Sequence, residues 1–215
     1  MTALAVSKDT SLPQLSTSLH PDVLADVYQE DKNIVVWQRT LPASLVAALQ
    51  RHLQEQGSIK LSLVLAPENA ANVLAKHLSK VGCGSALAES LAELVDMFCC
   101  LFELERAGLR LTTLDTAMCP KFHVDKVPCR LITTLTGPGT QWLANDLLNR
   151  GGLGAGSEQV KLYASDSDIQ HMALGDVALL KGERWIGNEN KGIVHRSPPV
   201  AAGEKRLVLT LDFAD

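Results

Sequence analysis

The sequence has no excess of basic residues, no CxxC pair and no long apolar run, and each absence removes a class of function. Twenty Lys and Arg stand against 24 Asp and Glu, a net charge of −4. A nucleic-acid or membrane-surface footprint needs a clustered basic excess, so neither partner is expected. The most apolar stretch, Leu91 to Leu104, is interrupted by Glu93, Asp96 and Glu103. It falls short of the roughly 18 uninterrupted apolar residues that a membrane helix requires. The opening MTALAVSKDTSLPQL lacks a basic segment followed by a continuous apolar one, so no secretion signal is expected and the chain reads as soluble and cytoplasmic. The five cysteines, Cys83, Cys99, Cys100, Cys119 and Cys129, are odd in number and show no disulfide framework. In a reducing compartment they are free thiols or metal ligands. Neither a zinc ribbon nor a thioredoxin-type site is supported, and no internal repeat is visible.

What is present is a chain of 215 residues, 46% of them hydrophobic, enough for one generous core. Residues 1–20 are rich in Ser, Thr and Pro and read as a flexible N-terminal arm. Residues 21–215 read as a single domain whose texture changes near residue 108. Before it, helical spacing dominates. Leu41, Leu45, Leu49 and Leu53 recur every fourth residue, and Pro67 opens a segment with Ala71, Leu74 and Leu78 on one side. Leu87, Leu91, Leu94, Val95, Phe98, Leu101 and Phe102 follow at gaps of 4, 3, 1, 3, 3 and 1, one apolar helical face, with Gly108 as the expected terminator. Two β-prone runs, Ile34–Trp37 and Ile59–Leu65, interrupt the helices. After Gly108 come short strand-like runs at Leu109–Leu114, Arg130–Leu135, Gln141–Leu143, Gln159–Tyr163, Val177–Leu180, Ile193–His195 and Arg206–Phe213. Gly and Pro separate them, the pattern of a sandwich or barrel. The plan is α+β: residues 21–108 as a mainly helical support and 109–215 as a β-rich metal-binding core.

The chemistry-bearing residues begin with His123-Val124-Asp125. On a strand, residues i and i+2 project to the same face, so the imidazole and the carboxylate would converge. His195 follows 72 positions later. Two histidines and one carboxylate form a facial triad that leaves coordination positions open, the set used by non-haem Fe(II) oxygenases. Arg206 follows His195 by 11 residues and opens RLVLTLDF, where Leu207, Leu209 and Leu211 share one face and Arg206, Val208 and Thr210 the other. A guanidinium on the inward face needs an anion, and it grips carboxylates bidentately.

Plainer readings stand beside each of these. His123 and Asp125 also fit a hydrogen-bonded surface pair, His195 a buried histidine satisfied by backbone, and Arg206 an edge-strand ion pair. Arg130 fits either a group that orients substrate or a ligand carboxylate, or a structural ion pair. Arg196 and Ser197 line an entrance or belong to the turn shaped by Pro198-Pro199. Trp142 and Trp185 wall a pocket or fill a core. A rival ligand set is Cys119, His123, Cys129 and His195, a tetrahedral Cys₂His₂ zinc site serving metal storage, delivery or sensing without catalysis. A barrel that keeps the fold and has lost its chemistry is a third alternative.

The order HxD, a long gap, His and then Arg resembles the 2-oxoglutarate and Fe(II)-dependent dioxygenases over roughly residues 109–215. Gly175-Asp176-Val177-Ala178-Leu179-Leu180 is similar to their turn and strand before the distal His, and His195-Arg196-Ser197-Pro198-Pro199-Val200 to the loop after it. The resemblance implies a double-stranded β-helix (jelly-roll, cupin-like) core under an N-terminal helical layer. It implies Fe(II) held by His123, Asp125 and His195, 2-oxoglutarate held by Arg206, and a small-molecule or side-chain substrate. One position departs: Val208 stands where many members carry Ser or Thr. A second resemblance, carried by CPKFHVDKVPCRLITTLTGPGTQW and KGIVHRSPP, is to a bacterial family of unknown function associated with zinc-homeostasis genes near CobW-type GTPases. It implies a metal theme and a metal-homeostasis partner.

Overall fold

A computed structural model describes residues 14–55, 57–154 and 160–214. The chain runs β1 (Leu15–Ser18), a 3₁₀ helix (Pro21–Tyr28), β2 (Ile34–Trp37), α1 (Ala43–Glu55), β3 (Lys60–Leu65), α2 (Pro67–His77) and α3 (Gly84–Phe102). The strands β4 (Ala107–Leu114), β5 (Cys129–Thr136), β6 (Gln141–Leu143), β7 (Ile169–His171), β8 (Val177–Lys181), β9 (Val194–Arg196) and β10 (Arg206–Phe213) follow. They form a seven-stranded sheet in the order β1-β2-β8-β5-β10-β4-β3 and a three-stranded sheet in the order β7-β6-β9.

From β4 onward the chain winds between the two sheets. β4 lies in the large sheet. His123 then bridges to His195 at the edge of the small one, and β5 returns to the large sheet. β6 and β7 belong to the small sheet, β8 to the large, β9 to the small and β10 to the large. This alternation is the winding of a double-stranded β-helix, the jelly-roll core, here with its second strand reduced to a single bridge.

The period of two decides what each face of the large sheet holds. Leu207, Leu209 and Leu211 of β10, Leu131 of β5, Leu179 of β8 and Leu111 of β4 join one buried cluster with Leu45, Leu49 and Leu53 of α1, Leu74 of α2 and Leu91 and Phe98 of α3. The helices thus cover the outer face. The alternate residues Ile132, Ala178, Leu180 and Val208 form a second cluster with Trp142 and Ala144, between the sheets.

Four expectations are corrected. Residues 1–13 lie outside the described residues, but Leu15–Ser18, part of the expected flexible arm, is an edge strand paired in parallel with β2, which takes up the backbone polar groups on that side. α3 ends before Gly108: Glu103 takes the left-handed cap at φ 54, Leu104 N–H donates to the Cys99 carbonyl, and Gly108 sits inside β4. The run Gln159–Tyr163 reaches the described residues only from Val160, and makes a single bridge, Leu148 to Tyr163, in place of a strand. His123–Asp125 is not a strand either. His123 exchanges two 3.0 Å backbone hydrogen bonds with His195, after which the chain leaves the sheet. The carbonyls of Asp125, Val127 and Pro128 instead accept from Glu183, Arg184 and Gly182. Among the described residues no helix is long and apolar enough to cross a membrane.

Candidate metal centre and anion pocket

His123, Asp125 and His195 are brought together by the bridge between the HxD segment and β9. One ligand atom from each lies within 4.8 Å of the other two, and this is the one such cluster of three His, Cys, Asp or Glu among the described residues. His195 Nε2 is 3.4 Å from one carboxylate oxygen of Asp125 and His123 Nε2 is 3.8 Å from the other. The far ring nitrogens are fixed by backbone. His123 Nδ1 lies 3.0 Å from the Lys121 carbonyl and His195 Nδ1 lies 3.2 Å from the Ile193 carbonyl. A carbonyl only accepts, so each Nδ1 carries the proton and each Nε2 presents its lone pair to the carboxylate. Lone pairs from three groups aimed at one region call for a cation between them, and the donor set therefore fits a divalent metal.

The electrostatics agree. Burial, and then the neighbouring His195, push the His123 imidazole below its ordinary pKa, which favours the neutral, ligating form. Burial alone would raise the Asp125 carboxyl. Its contacts with Arg130 and with His195 and His123 in their protonated forms, when Nε2–H faces the carboxylate, outweigh burial and hold the group at about 2. Arg130 Nη1 donates to Asp125 at 2.7 Å, while Arg130 Nε and Nη2 bind Asp212 bidentately at 2.8 and 2.9 Å. Asp212 thus fixes Arg130, and Arg130 fixes Asp125.

Arg206 opens β10 on the inner face and is 2% exposed. Its Nη1 donates to Ser197 Oγ at 3.1 Å, and its Nη2 donates to Thr134 Oγ1 at 3.2 Å and Thr140 Oγ1 at 2.7 Å. No carboxylate pairs with Arg206 among the described residues, and burial lowers its pKa to about 10. Its buried Nε has no partner, nor has the buried hydroxyl of Thr210 further along the same face of β10. A buried cation with no ion pair is costly unless an anion completes it. The Gly137-Pro138-Gly139 turn holds this end of β10: a Cβ on Gly137, at φ 78, would sit 2.9 Å from Arg206 Cα.

His123, His195, Arg130 and Arg206 line one cavity with about 80 Å³ open to water-sized molecules. A single water needs roughly 10–15 Å³ of such space, so the cavity suits a small ligand. Arg196 and Ser197 line it too. Trp142 does not; it packs in the inter-sheet core. Trp185 stacks near Tyr28 and Lys181, away from the cavity.

The Cys₂His₂ set is not assembled. Cys129 is fully buried in the helix-side core, because it alternates with Arg130 on β5 and faces away from the cavity. Burial there pushes its thiol strongly up, opposing the thiolate that zinc needs. Cys119 lines the cavity but stays outside the triad.

Five contributors escaped the sequence reading: Asp212, Thr134 and Arg110 on long strands, and Thr140 and Gln141 beside β6. Asp212 shares strand parity with Arg206, and Thr134 with Arg130. Arg110 alternates with the core residues Leu109 and Leu111. Alternation was therefore the available signal for Asp212, Thr134 and Arg110. Thr140 and Gln141 lie in a turn and a strand start, where alternation gives none.

A family profile described as "Protein of unknown function (DUF1826)" matches residues 18–212. No curated protein matches the chain. Similar solved structures include a dioxygenase for auxin oxidation from Arabidopsis thaliana in complex with 2-oxoglutarate, 10% identical, covering 93% of this chain and 91% of that one at a TM-score of 0.49. A prolyl-4-hydroxylase from Pseudomonas putida is 14% identical, with coverages of 90% and 98% and a TM-score of 0.48. A full-length protein of Neurospora crassa in complex with alpha-ketoglutarate is 13% identical, with coverages of 99% and 88% and a TM-score of 0.46.

Proposed function

The chain belongs to the DUF1826 family, and we propose that it works as a non-haem Fe(II)- and 2-oxoglutarate-dependent dioxygenase on a small-molecule or side-chain substrate. The observation that carries this reading is one cavity lined by both histidines of a clustered His-Asp-His donor set and by a buried arginine without a carboxylate partner. Fe(II) with a 2-oxo acid supplies dioxygen activation, in which the 2-oxo acid loses CO₂ as a C–H bond of the substrate is oxidised. The residues of the chain do the rest. His123, Asp125 and His195 would hold the metal, the histidines locked in one tautomer by Lys121 and Ile193 carbonyls. Arg130 keeps the Asp125 carboxylate charged and oriented. Arg206, steered by Ser197, Thr134 and Thr140, would take the distal carboxylate of the 2-oxo acid through its unpaired Nε. Ile132 and Val208 on the wall limit water.

The metal-homeostasis role implied by the second resemblance would use the same three ligands with zinc. Zinc outcompetes Fe(II) at most nitrogen and oxygen sites, so metal identity must be read from protein prepared without air and without added zinc. The test is elemental analysis of such protein together with succinate formation from 2-oxoglutarate. One equivalent of iron and succinate production are expected, both lost in His123→Ala and both kept in Cys119→Ala and Cys129→Ala. Zinc alone, with no succinate after reloading with Fe(II), overturns the dioxygenase reading and leaves a metal-binding protein.

A further inference from the structure

The cavity wall carries four arginines, Arg110, Arg130, Arg196 and Arg206, and no Asp or Glu. Two of them are accounted for. Arg130 is neutralised by Asp125 and Asp212, and Arg206 awaits the cosubstrate carboxylate. Arg110 and Arg196 remain. Arg196 is built into place: its guanidinium lies 4.3 Å from the centre of the Phe122 ring, and its Nε donates to Gln141 Oε1 at 2.7 Å. Phe122 in turn meets Tyr163 edge-on at 5.7 Å. Stacking and one neutral hydrogen bond fix the plane of the group and leave both Nη atoms free for a planar acceptor. The side chain of Arg110, an exposed residue on the inner face of β4 opposite Thr210, makes no hydrogen bond or ion pair among the described residues.

We propose that the substrate carries an anionic group, carboxylate or phosphate, which Arg110 and Arg196 bind on the cavity wall while Arg206 serves the cosubstrate. The division of labour between the arginines rests on the dioxygenase reading; the anion site itself does not. Charge decides for an anionic over a neutral substrate. With one dicarboxylate on the metal and Arg206, two guanidiniums still face the same small space, and like charges so placed repel until an anion enters. Pre-orienting Arg196 lowers the ordering cost of that binding.

The test uses the full chain loaded with Mn(II) and saturated with 2-oxoglutarate, into which inorganic phosphate and, separately, acetate are titrated calorimetrically. At least one anion is expected to bind, and whichever binds more tightly names the group. Arg110→Gln and Arg196→Gln are each expected to weaken it at least tenfold. Arg110→Lys, which keeps the charge, is expected to retain most of the affinity and separates lost charge from disturbed packing. Binding of neither anion, or equal affinity in the wild type and the double variant Arg110→Gln/Arg196→Gln, overturns the proposal. So does a loss of 2-oxoglutarate affinity in these variants as large as in Arg206→Gln, because the arginines would then serve the cosubstrate. If 2-oxoglutarate fails to bind the wild type while phosphate or acetate still depends on Arg110 and Arg196, the anion site stands and the dioxygenase reading falls.

Discussion

The two faces of the large sheet are written by alternate residues of the same strands, and they differ as completely as a core and a reaction vessel. On β10, Leu207, Leu209 and Leu211 enter the helix-covered core, while Arg206, Val208 and Thr210 line the cavity. On β5, Cys129 and Leu131 take the first side, and Arg130 and Ile132 the second. The outer face binds the helices by area alone. The inner face holds unpaired polar groups and a buried charge without an ion pair, which cost stability in the ligand-free chain. The fold therefore separates stability from chemistry at a spacing of one residue, and substitutions on the two faces should fail in different ways.

The largest effect is expected where the inner face is internally paired. Arg130→Leu strips both Asp125 and Asp212 of their partner in a partly buried place. Breaking such a pair costs about 3–5 kcal/mol, and losing an orienting group lowers metal affinity about 10- to 100-fold. Chemical denaturation and metal titration of the same variant should both shift. Leu209→Ala is the contrast on the outer face. It should cost about 2–5 kcal/mol of unfolding free energy while the metal stoichiometry of the folded protein stays unchanged. Loss of metal from folded Leu209→Ala protein would show that the faces are coupled.

This separation was readable in the sequence wherever strands are long. RLVLTLDF announces its parity, and β10 occupies those eight residues; the repeating leucines place α1, and the seven apolar residues from Leu87 place α3. His195 was legible for the same reason, at the end of a β-prone run. Parity tells against the Cys₂His₂ set only once the structure places Arg130 on the cavity side, which turns Cys129 toward the helices. What was hidden is what lies between strands. The HxD segment owes its place to one bridge and to carbonyls taken by the Gly182–Arg184 turn, interactions between residues some 60 positions apart. Trp142 sits on a three-residue strand, too short for its pattern to tell cavity from core.

Arg206 offers a sharper cut, because here stability and ligand binding should move in opposite directions. Its pKa falls from 12.5 to about 10, which corresponds to roughly 3 kcal/mol of preference against the charged form in the folded protein. Arg206→Met removes that charge from a buried place. The ligand-free variant should therefore unfold at least as hard as the wild type. Its affinity for 2-oxoglutarate should fall about 10- to 100-fold, the worth of a charged hydrogen bond. A variant that is both unstable and still able to bind 2-oxoglutarate would mean that Arg206 is structural.

The smallest effect concerns acid, and it isolates Asp125 of the His-Asp-His cluster in metal-free protein. Asp125 titrates at about 2 in the folded chain against an ordinary 3.8. A depressed carboxyl contributes stability that is complete above 3.8 and is lost as pH falls through 2. The difference amounts to about 2 kcal/mol, confined to that window. In metal-free protein, denaturant unfolding between pH 5 and pH 2 should show this extra slope in the wild type and not in Asp125→Asn. Leu209→Ala, although far less stable throughout, should keep the wild-type slope, because its lesion lies on the face that carries no charge.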